Sequence, residues 1–158
     1  MSLDPDAFRA VMGRFASGVT VVTATDAEGR DRGMTVSAFA AVSLQPPLVA
    51  MCIDRTASMY DTLATAPYFA VNILASTQEP IARRFASTGA QQFDGIGYHT
   101  GENGVPILND TLAFVECKHV SATGAGDHII IVGETVAGSL SDARPLLYYR
   151  GGFAQLER

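Results

Sequence analysis

Residues 33–49 read GMTVSAFAAVSLQPPLV, which predicts two consecutive strands separated by a Pro-Pro break. Among the small and apolar residues stand three hydroxyl side chains, those of Thr35, Ser37 and Ser43, where a core strand usually carries valine or isoleucine. A hydroxyl beside an accessible backbone can bond a polar heterocycle or a phosphate without adding charge. The same pattern also fits a Ser/Thr-rich edge strand whose hydroxyls bond water, and the residues alone leave both interpretations open.

Length and composition predict one globular domain. A chain of 158 residues can bury its own core, and a hydrophobic content of 47% excludes a disordered chain. Only 17% of the residues are charged, which hints at a subunit interface or an apolar cleft. The net charge of -5 and the lack of a basic block argue against a nucleic-acid surface and against a polybasic membrane patch.

Cysteine and histidine spacings do not predict a metal site. Cys52 and Cys117 lie far apart in apolar runs and form no C-x-x-C pair, so we expect buried, reduced thiols. The three histidines are not spaced like helical metal ligands. The first residues form no apolar signal core, and no apolar run approaches the roughly 20 residues of a membrane span. We therefore expect a cytoplasmic protein.

Three short helices are predicted. Asp4-Pro5-Asp6 is typical of a helix start, and the apolar stripe that follows extends the predicted helix to Gly18. Ser58 is expected to cap a second helix that runs to about Thr65, and Thr77 a third that runs through Ala86.

The β-rich runs outnumber the helices. Strands are predicted in residues 19–25, 33–45, 48–53, 68–74, 112–122 and 128–138, with a last strand or packed tail in 145–153. The glycine-containing residues 87–110 are predicted to be an irregular excursion. Six or seven strands with helical inserts describe a mainly β barrel or sandwich. The absence of G-x-G-x-x-G and of regular strand–helix alternation argues against a doubly wound dinucleotide fold.

Five polar positions stand out. Asn72 interrupts a strand, where its amide must bond either a ligand or a neighbouring loop backbone. His128 follows a Gly-Asp turn at a strand mouth and is either a ligand contact or a solvated turn residue. Tyr148 offers a ring for stacking or ordinary packing, and Arg83 with Arg84 can meet an anion or form a solvated helix face. The sequence shows no nucleophile–base set and no carboxylate pair. This favours a cleft that binds a cofactor, which then carries out the chemistry.

Six segments of the chain, taken in order, resemble the flavin reductase family, the reductase components of two-component flavin monooxygenases. These segments are FASGVTVVT (15–23), GMTVSAF (33–39), VSLQPPLV (42–49), FAVNIL (69–74), GDH (126–128) and PLLYYRG (145–151). The resemblance covers nearly the whole chain, so residues 1–158 are expected to form a single flavin reductase-like domain. It implies an FMN-binding split β-barrel with Greek-key-like connections and a homodimer that binds FMN or FAD between its subunits.

The resemblance also implies a set of site residues. Around the isoalloxazine it places Thr35, Val36 and Ser37, and at the other polar edge of the ring Ser43 and Leu44. It places Ile53, Asp54 and Ser58 along the ribityl-phosphate tail. The residues expected to complete the pocket are Asn72, Leu74, Ala75 and Gln78, and Phe85 is expected to close it. Facing the open side of the flavin, where the nicotinamide arrives, it places His128 and Tyr148, with His128 as the candidate catalytic residue.

The implied activity is hydride transfer from NADH or NADPH to the flavin, which then leaves for a separate oxygenase. The protein would fix distance and angle, while backbone N–H groups stabilise the reduced ring. Tyr98 stands where relatives often have tryptophan, so the lid contact of the family is expected to differ in this chain. A non-enzymatic flavin-binding module of the same fold is the alternative. An oxidase of a phosphorylated pyridoxine-type substrate would need a basic cluster that this chain does not show.

Overall fold

The computed structural model describes residues 1–157. Within them lie three α-helices, α1 (Pro5–Met12), α2 (Tyr60–Thr65) and α3 (Glu79–Ala86). The strands of the first half are β1 (Ser17–Gly18), β2 (Thr20–Thr25), β3 (Asp31–Val36), β4 (Phe39–Leu44), β5 (Pro47–Asp54) and β6 (Tyr68–Ile73). Those of the second half are β7 (Tyr98–Thr100), β8 (Pro106–Leu108), β9 (Ala113–Ala125), β10 (His128–Leu140), β11 (Leu146–Tyr149) and β12 (Gly152–Gln155).

Seven strands form one antiparallel sheet in the order β3-β2-β6-β9-β10-β5-β4. The two end strands of this order, β3 and β4, follow each other in the chain and are joined by Ser37 and Ala38. The Ala38 carbonyl accepts a hydrogen bond from the Cys52 N–H (3.0 Å). The connection therefore brings the end of β3 beside β5 and curves the sheet around a common interior. This mainly β architecture is the expected split β-barrel.

Alternation along β5 and β10 decides which side chains fill the barrel. Met51 and Ile53 are buried in the interior beside Ile129 and Ile131, which lie on the adjacent strand. The intervening residues point outward because successive side chains of a strand face opposite sides. Asp54 and His128, directly paired across the two strands, consequently share the outer surface.

A second apolar cluster lies outside the barrel, between β2, α3 and β11. Its buried members are Val19, Val21, Leu74, Ala82, Phe85, Leu108 and Leu146. This cluster packs the C-terminal hairpin (β11 and β12) and α3 against the main sheet. It therefore sets the separation between the hairpin and α3, which border a cavity at the end of β3.

Helix α1 is shorter than the sequence predicts. The Gly13 N–H closes its last turn on the Arg9 carbonyl, and the chain then enters β1, which pairs with β11. Gly18 is therefore a strand residue and not the end of the helix. The predicted apolar stripe is present but largely exposed in this chain, since Phe8 is 55% and Phe15, just beyond the helix, 78% exposed.

The two predicted serine and threonine caps are wrong. Met59 occupies the cap position of α2, and Gln78 that of α3, with no side-chain cap hydrogen bond at either. Ser58 lies one residue before the α2 cap, and Thr77 lies inside a 3-10 turn, Ser76–Gln78. In this turn the Gln78 carboxamide oxygen accepts from the Ala75 N–H (2.9 Å), a bond that stabilises the 3-10 turn and does not cap α3.

Residues 87–110 are less irregular than expected, because β7 and β8 pair within them. The buried Glu116 carboxylate holds this hairpin by accepting from the N–H groups of Glu102 (3.2 Å) and Asn103 (2.9 Å). Strands β9 and β10 also extend beyond their predicted ends and meet at a tight turn.

The two cysteines differ in environment. Burial raises the pKa of the Cys117 thiol to about 12, with a smaller contribution from the neighbouring Glu116 carboxylate. This thiol is therefore protonated and unreactive at neutral pH. Cys52 is only partly buried, so the expectation of a buried thiol is confirmed for Cys117 alone. Residues 1–157 contain no helix long and apolar enough to cross a membrane.

Candidate cofactor site

A cavity of about 520 Å³ opens between α3, the end of β3 and the β11–β12 hairpin. Its polar lining includes the hydroxyl-bearing residues Thr35 and Ser37 from the β3 end and Arg83 from α3. Its aromatic lining comes from Tyr148 and Phe153 on the hairpin. A cavity with a flat aromatic side and a few convergent polar groups is typical of sites for planar ligands.

Strand β3 is held in place from both sides. Thr35 pairs with Val21 of β2, and its hydroxyl donates to the Ala82 carbonyl of α3 (2.6 Å). Gly33 allows the Phe85 ring to pack directly against the strand, since a Cβ at this position would lie 2.7 Å from two ring carbons. Because β3 ends the order of the sheet, alternate backbone N–H and C=O groups on its free side point away from β2 and are available to a ligand.

The C-terminal hairpin forms the opposite wall. Tyr148 and Phe153 pair across β11 and β12, with ring centroids 5.5 Å apart in an edge-to-face arrangement. The turn between them places Arg150 at a φ of 52° and Gly151 at 77°, in the left-handed region. The Arg150 N–H donates to the Gly13 carbonyl (2.9 Å), which ties this turn to the end of α1.

Three of the predicted site residues line this cavity: Thr35, Ser37 and Tyr148. Val36 lies between the first two, but its side chain is buried in the barrel interior, so it can offer only backbone atoms. Its carbonyl already accepts from the Thr20 hydroxyl (2.6 Å).

The Asn72 side chain was predicted to line the pocket, but it does not line this cavity. Its side chain is fully buried, and its amide nitrogen donates to the Val21 carbonyl (2.9 Å) and the Thr23 hydroxyl oxygen (3.0 Å). Its amide oxygen accepts from the Leu108 N–H (2.9 Å). All three partners lie on strands β2 and β8, so Asn72 joins strands of the fold and bonds no loop backbone.

Five further predicted residues also have buried side chains and do not line this cavity, so their assignment to the cofactor site stays a prediction. These residues are Ile53 in the barrel and Leu74, Ala75, Gln78 and Phe85 in or beside the second cluster. Gln78, for example, bonds the Ala75 N–H and the Asn109 carbonyl. Phe85 supports β3 from below and does not close the pocket.

The remaining predicted residues lie elsewhere on the surface of the single chain. Ser43 and Leu44 end β4, opposite the start of β5. Ser58 is exposed and borders a separate cavity of about 310 Å³. None of the three lines the cavity beside β3.

His128 and Asp54 lie on the outer face of the barrel, outside that cavity. The Asp54 carboxylate accepts from the Thr56 N–H and hydroxyl (both 2.8 Å), and these bonds, the backbone one first, lower its pKa. The His128 Nδ1 lies 2.7 Å from the Asp127 carboxylate. Ser37 is nearby in the fold, because Ala38 bonds Cys52 of β5, the strand that pairs with β10.

Sequence reasoning did not assign Phe153 to the site and left Arg83 undecided. The Arg83 guanidinium donates to Glu79 (2.8 Å) and lies 5.0 Å from the centre of the Phe153 ring. The available signal was a phenylalanine shortly after the Arg150-Gly151 turn that follows Tyr148-Tyr149, since a tight hairpin places residues of its two strands opposite each other.

The fold and the site define a class: the chain belongs to the flavin reductase-like domain family, whose model matches residues 12–157. A flavin reductase of Pseudomonas putida is 40% identical over 153 residues, which cover 96% of this chain and 90% of that protein. The FMN reductase (NADH) SmoA of Agrobacterium fabrum is 41% identical over 151 residues, with 96% and 86% covered.

Solved structures agree in fold. The NADH:FAD oxidoreductase of Streptomyces globisporus, in complex with NAD and FAD fragments, superposes with a TM-score of 0.92 at 36% identity, covering 99% of this chain and 96% of that one. The chain spans about half (48%) of another relative, a protein of Rhizobium meliloti named "Probable flavin reductase".

Proposed function

We propose that this chain is an NAD(P)H-dependent flavin reductase that transfers hydride from NADH or NADPH to FMN or FAD. The observation that carries the proposal is the cavity beside β3, where Thr35 and Ser37 meet the rings of Tyr148 and Phe153. An edge strand with free backbone groups on one side and aromatic rings on the other fits the polar rim and the flat face of a tricyclic ring.

A bound flavin supplies the ring that accepts the hydride and passes electrons on. The chain supplies position. The Thr35 hydroxyl is fixed by its bond to Ala82, and Phe85 prevents β3 from moving inward. Hydride transfer depends steeply on distance and angle, so this rigid support is the contribution that the structure makes to rate.

Steady-state oxidation of each nicotinamide cofactor in the presence of each flavin tests the proposal. We expect NADH or NADPH oxidation to depend on both protein and added flavin, at a rate far above that of the mixture without protein. A preparation that retains flavin but is not bleached by either nicotinamide would instead identify a non-enzymatic flavin-binding protein.

We further propose that the active form is a homodimer. Large apolar side chains are exposed on three elements of the single chain, including Phe8 on α1, Val42 and Leu44 on β4, and Val136 and Leu140 on β10. Exposed large apolar side chains are typical of a subunit interface when an assembly brings them together. The predicted flavin contacts of Ser43, Leu44, Asp54, Ser58 and His128 lie outside the single-chain cavity, and in this proposal a second copy brings that surface to the ligand.

Leu44→Glu tests the homodimer. Leu44 is 84% exposed, so a charge there leaves the monomer folded, but it places an unpaired carboxylate in an apolar interface. We expect the dimer to dissociate at least about 10-fold more readily in sedimentation experiments. Ala27→Glu, in the exposed β2–β3 turn, adds the same charge and should leave the dimer intact. A wild-type chain that sediments as a monomer at micromolar concentration contradicts the proposal.

A separate oxygenase is the proposed consumer of the reduced flavin. Relatives include the reductase subunit of a flavin-dependent monooxygenase from Rhodococcus jostii, 37% identical over 157 residues, and the reductase component of a nitrophenol monooxygenase from Rhodococcus opacus. We also propose a cytoplasmic location, where NAD(P)H is available and thiols stay reduced, and one flavin reductase-like domain over residues 1–158.

A further inference from the structure

We propose that Arg83 binds a phosphate group of the nucleotide that occupies the cavity beside β3 and thereby selects phosphorylated cofactors. The inference rests on the proposed function, since it concerns the same cavity. It adds a residue that discriminates FMN from riboflavin, or NADH from a dihydronicotinamide without phosphate.

The charge of the cavity supports this role. Among the described residues that line it, Arg83 is the one charged side chain, and the others are apolar, hydroxyl-bearing or glycine. A flavin or pyridine nucleotide carries at least one phosphate, and a guanidinium is well matched to phosphate geometry. Arg83 is therefore the one cation of this lining that a phosphate in the cavity can contact.

The Arg83 side chain is also oriented in advance. One of its nitrogens donates to Glu79 (2.8 Å), and its guanidinium lies 5.0 Å from the centre of the Phe153 ring. A guanidinium has five N–H donors, so most remain available to a ligand. The neighbouring Arg84 is used differently, because it donates to the Asp94 carbonyl (2.8 Å) outside the cavity and organises the following loop.

Equilibrium titration of flavin fluorescence tests the inference without turnover. Arg83→Ala and Arg83→Lys are compared with wild type for FMN and for riboflavin, which lacks the phosphate. Lys118→Ala serves as the control for net charge, because Lys118 is exposed on β9 and does not line the cavity. Steady-state KM values for NADH and for reduced nicotinamide riboside form the second arm.

If Arg83 binds the flavin phosphate, Arg83→Ala weakens FMN binding about 10-fold and leaves riboflavin unchanged. If it binds the pyridine nucleotide, the KM for NADH rises about 10-fold and that for the riboside does not. Arg83→Lys should recover part of either loss, since it keeps the charge but not the planar fork.

Equal constants for Arg83→Ala and wild type in both arms overturn the inference. Provided that the wild-type chain still oxidises NAD(P)H with added flavin, that outcome leaves the proposed function standing. A wild-type chain that neither binds flavin nor oxidises NAD(P)H overturns both. Arg83 is 67% exposed, so loss of its side chain should not prevent folding, which a thermal melt checks.

Discussion

Replacing Phe85 by alanine is expected to lower the free energy of unfolding by about 3–5 kcal/mol, the range for a fully buried aromatic side chain. Phe85 is 1% exposed, and its ring lies against Gly33 on one side and edge-to-face with Phe93, at a centroid distance of 5.0 Å, on the other. The substitution removes both contacts and leaves a cavity beneath the strand that carries Thr35. Urea unfolding monitored by circular dichroism measures the loss.

Two companion variants separate packing from other effects. Phe85→Leu refills much of the volume and should cost about 1–2 kcal/mol. Gly33→Val attacks the same contact from the strand, because its Cβ would overlap the ring, and should cost about 1–3 kcal/mol. A Phe85→Ala variant as stable as wild type would show that the ring does not support β3.

The strands of the barrel were predictable because β-rich runs mark them in the sequence. The two faces of β5 were not, since Cys52 lies in an apolar run and yet shares the outer face with Asp54. The number of strands was harder to predict from the sequence. β1 and β7 have two and three residues, too few for a pattern, and exist because partners distant in sequence pair with them.

The predicted helix boundaries were wrong at the start of α2, the start of α3 and the end of α1. Ser58 and Thr77 are good cap residues by type, but a cap forms only where the hydroxyl faces the first free N–H groups. Before α3, Thr77 is part of the 3-10 turn Ser76–Gln78, and no side chain caps the first N–H groups of the helix. Similarly, α1 ends at Gly13 and not at Gly18 because β11 recruits the intervening residues into a sheet.

The site was predictable in part. Thr35 and Ser37 were marked by hydroxyls in an apolar strand, and Tyr148 by its place in a resemblance that spans the chain. What the sequence could not show is that Tyr148 and Arg83 face the same opening from elements 65 positions apart, because that depends on packing through the second cluster. Asn72 shows the opposite error, since an unusual polar residue can be required by the fold itself.

Asn72→Leu is expected to lower the free energy of unfolding by about 2–4 kcal/mol, because it removes three buried hydrogen bonds. The lost bonds are those to the Val21 carbonyl, the Thr23 hydroxyl and the Leu108 N–H, all within 3.0 Å of the Asn72 amide, and of these groups the Thr23 hydroxyl still donates to the Pro106 carbonyl. The Leu108 bond joins β8 to the main sheet, so the excursion that contains β8 should also become more accessible to protease.

The flavin affinity of the folded variant decides between the two roles considered for Asn72. If the residue is structural, flavin titration below the unfolding transition should give the wild-type dissociation constant. Asn103→Ala is the matched control, since its part-buried amide makes one weaker bond to Glu116 (3.3 Å) and its loss should cost less than about 1 kcal/mol. An Asn72→Leu chain of wild-type stability with much weaker flavin binding would restore the ligand role and refute the structural one.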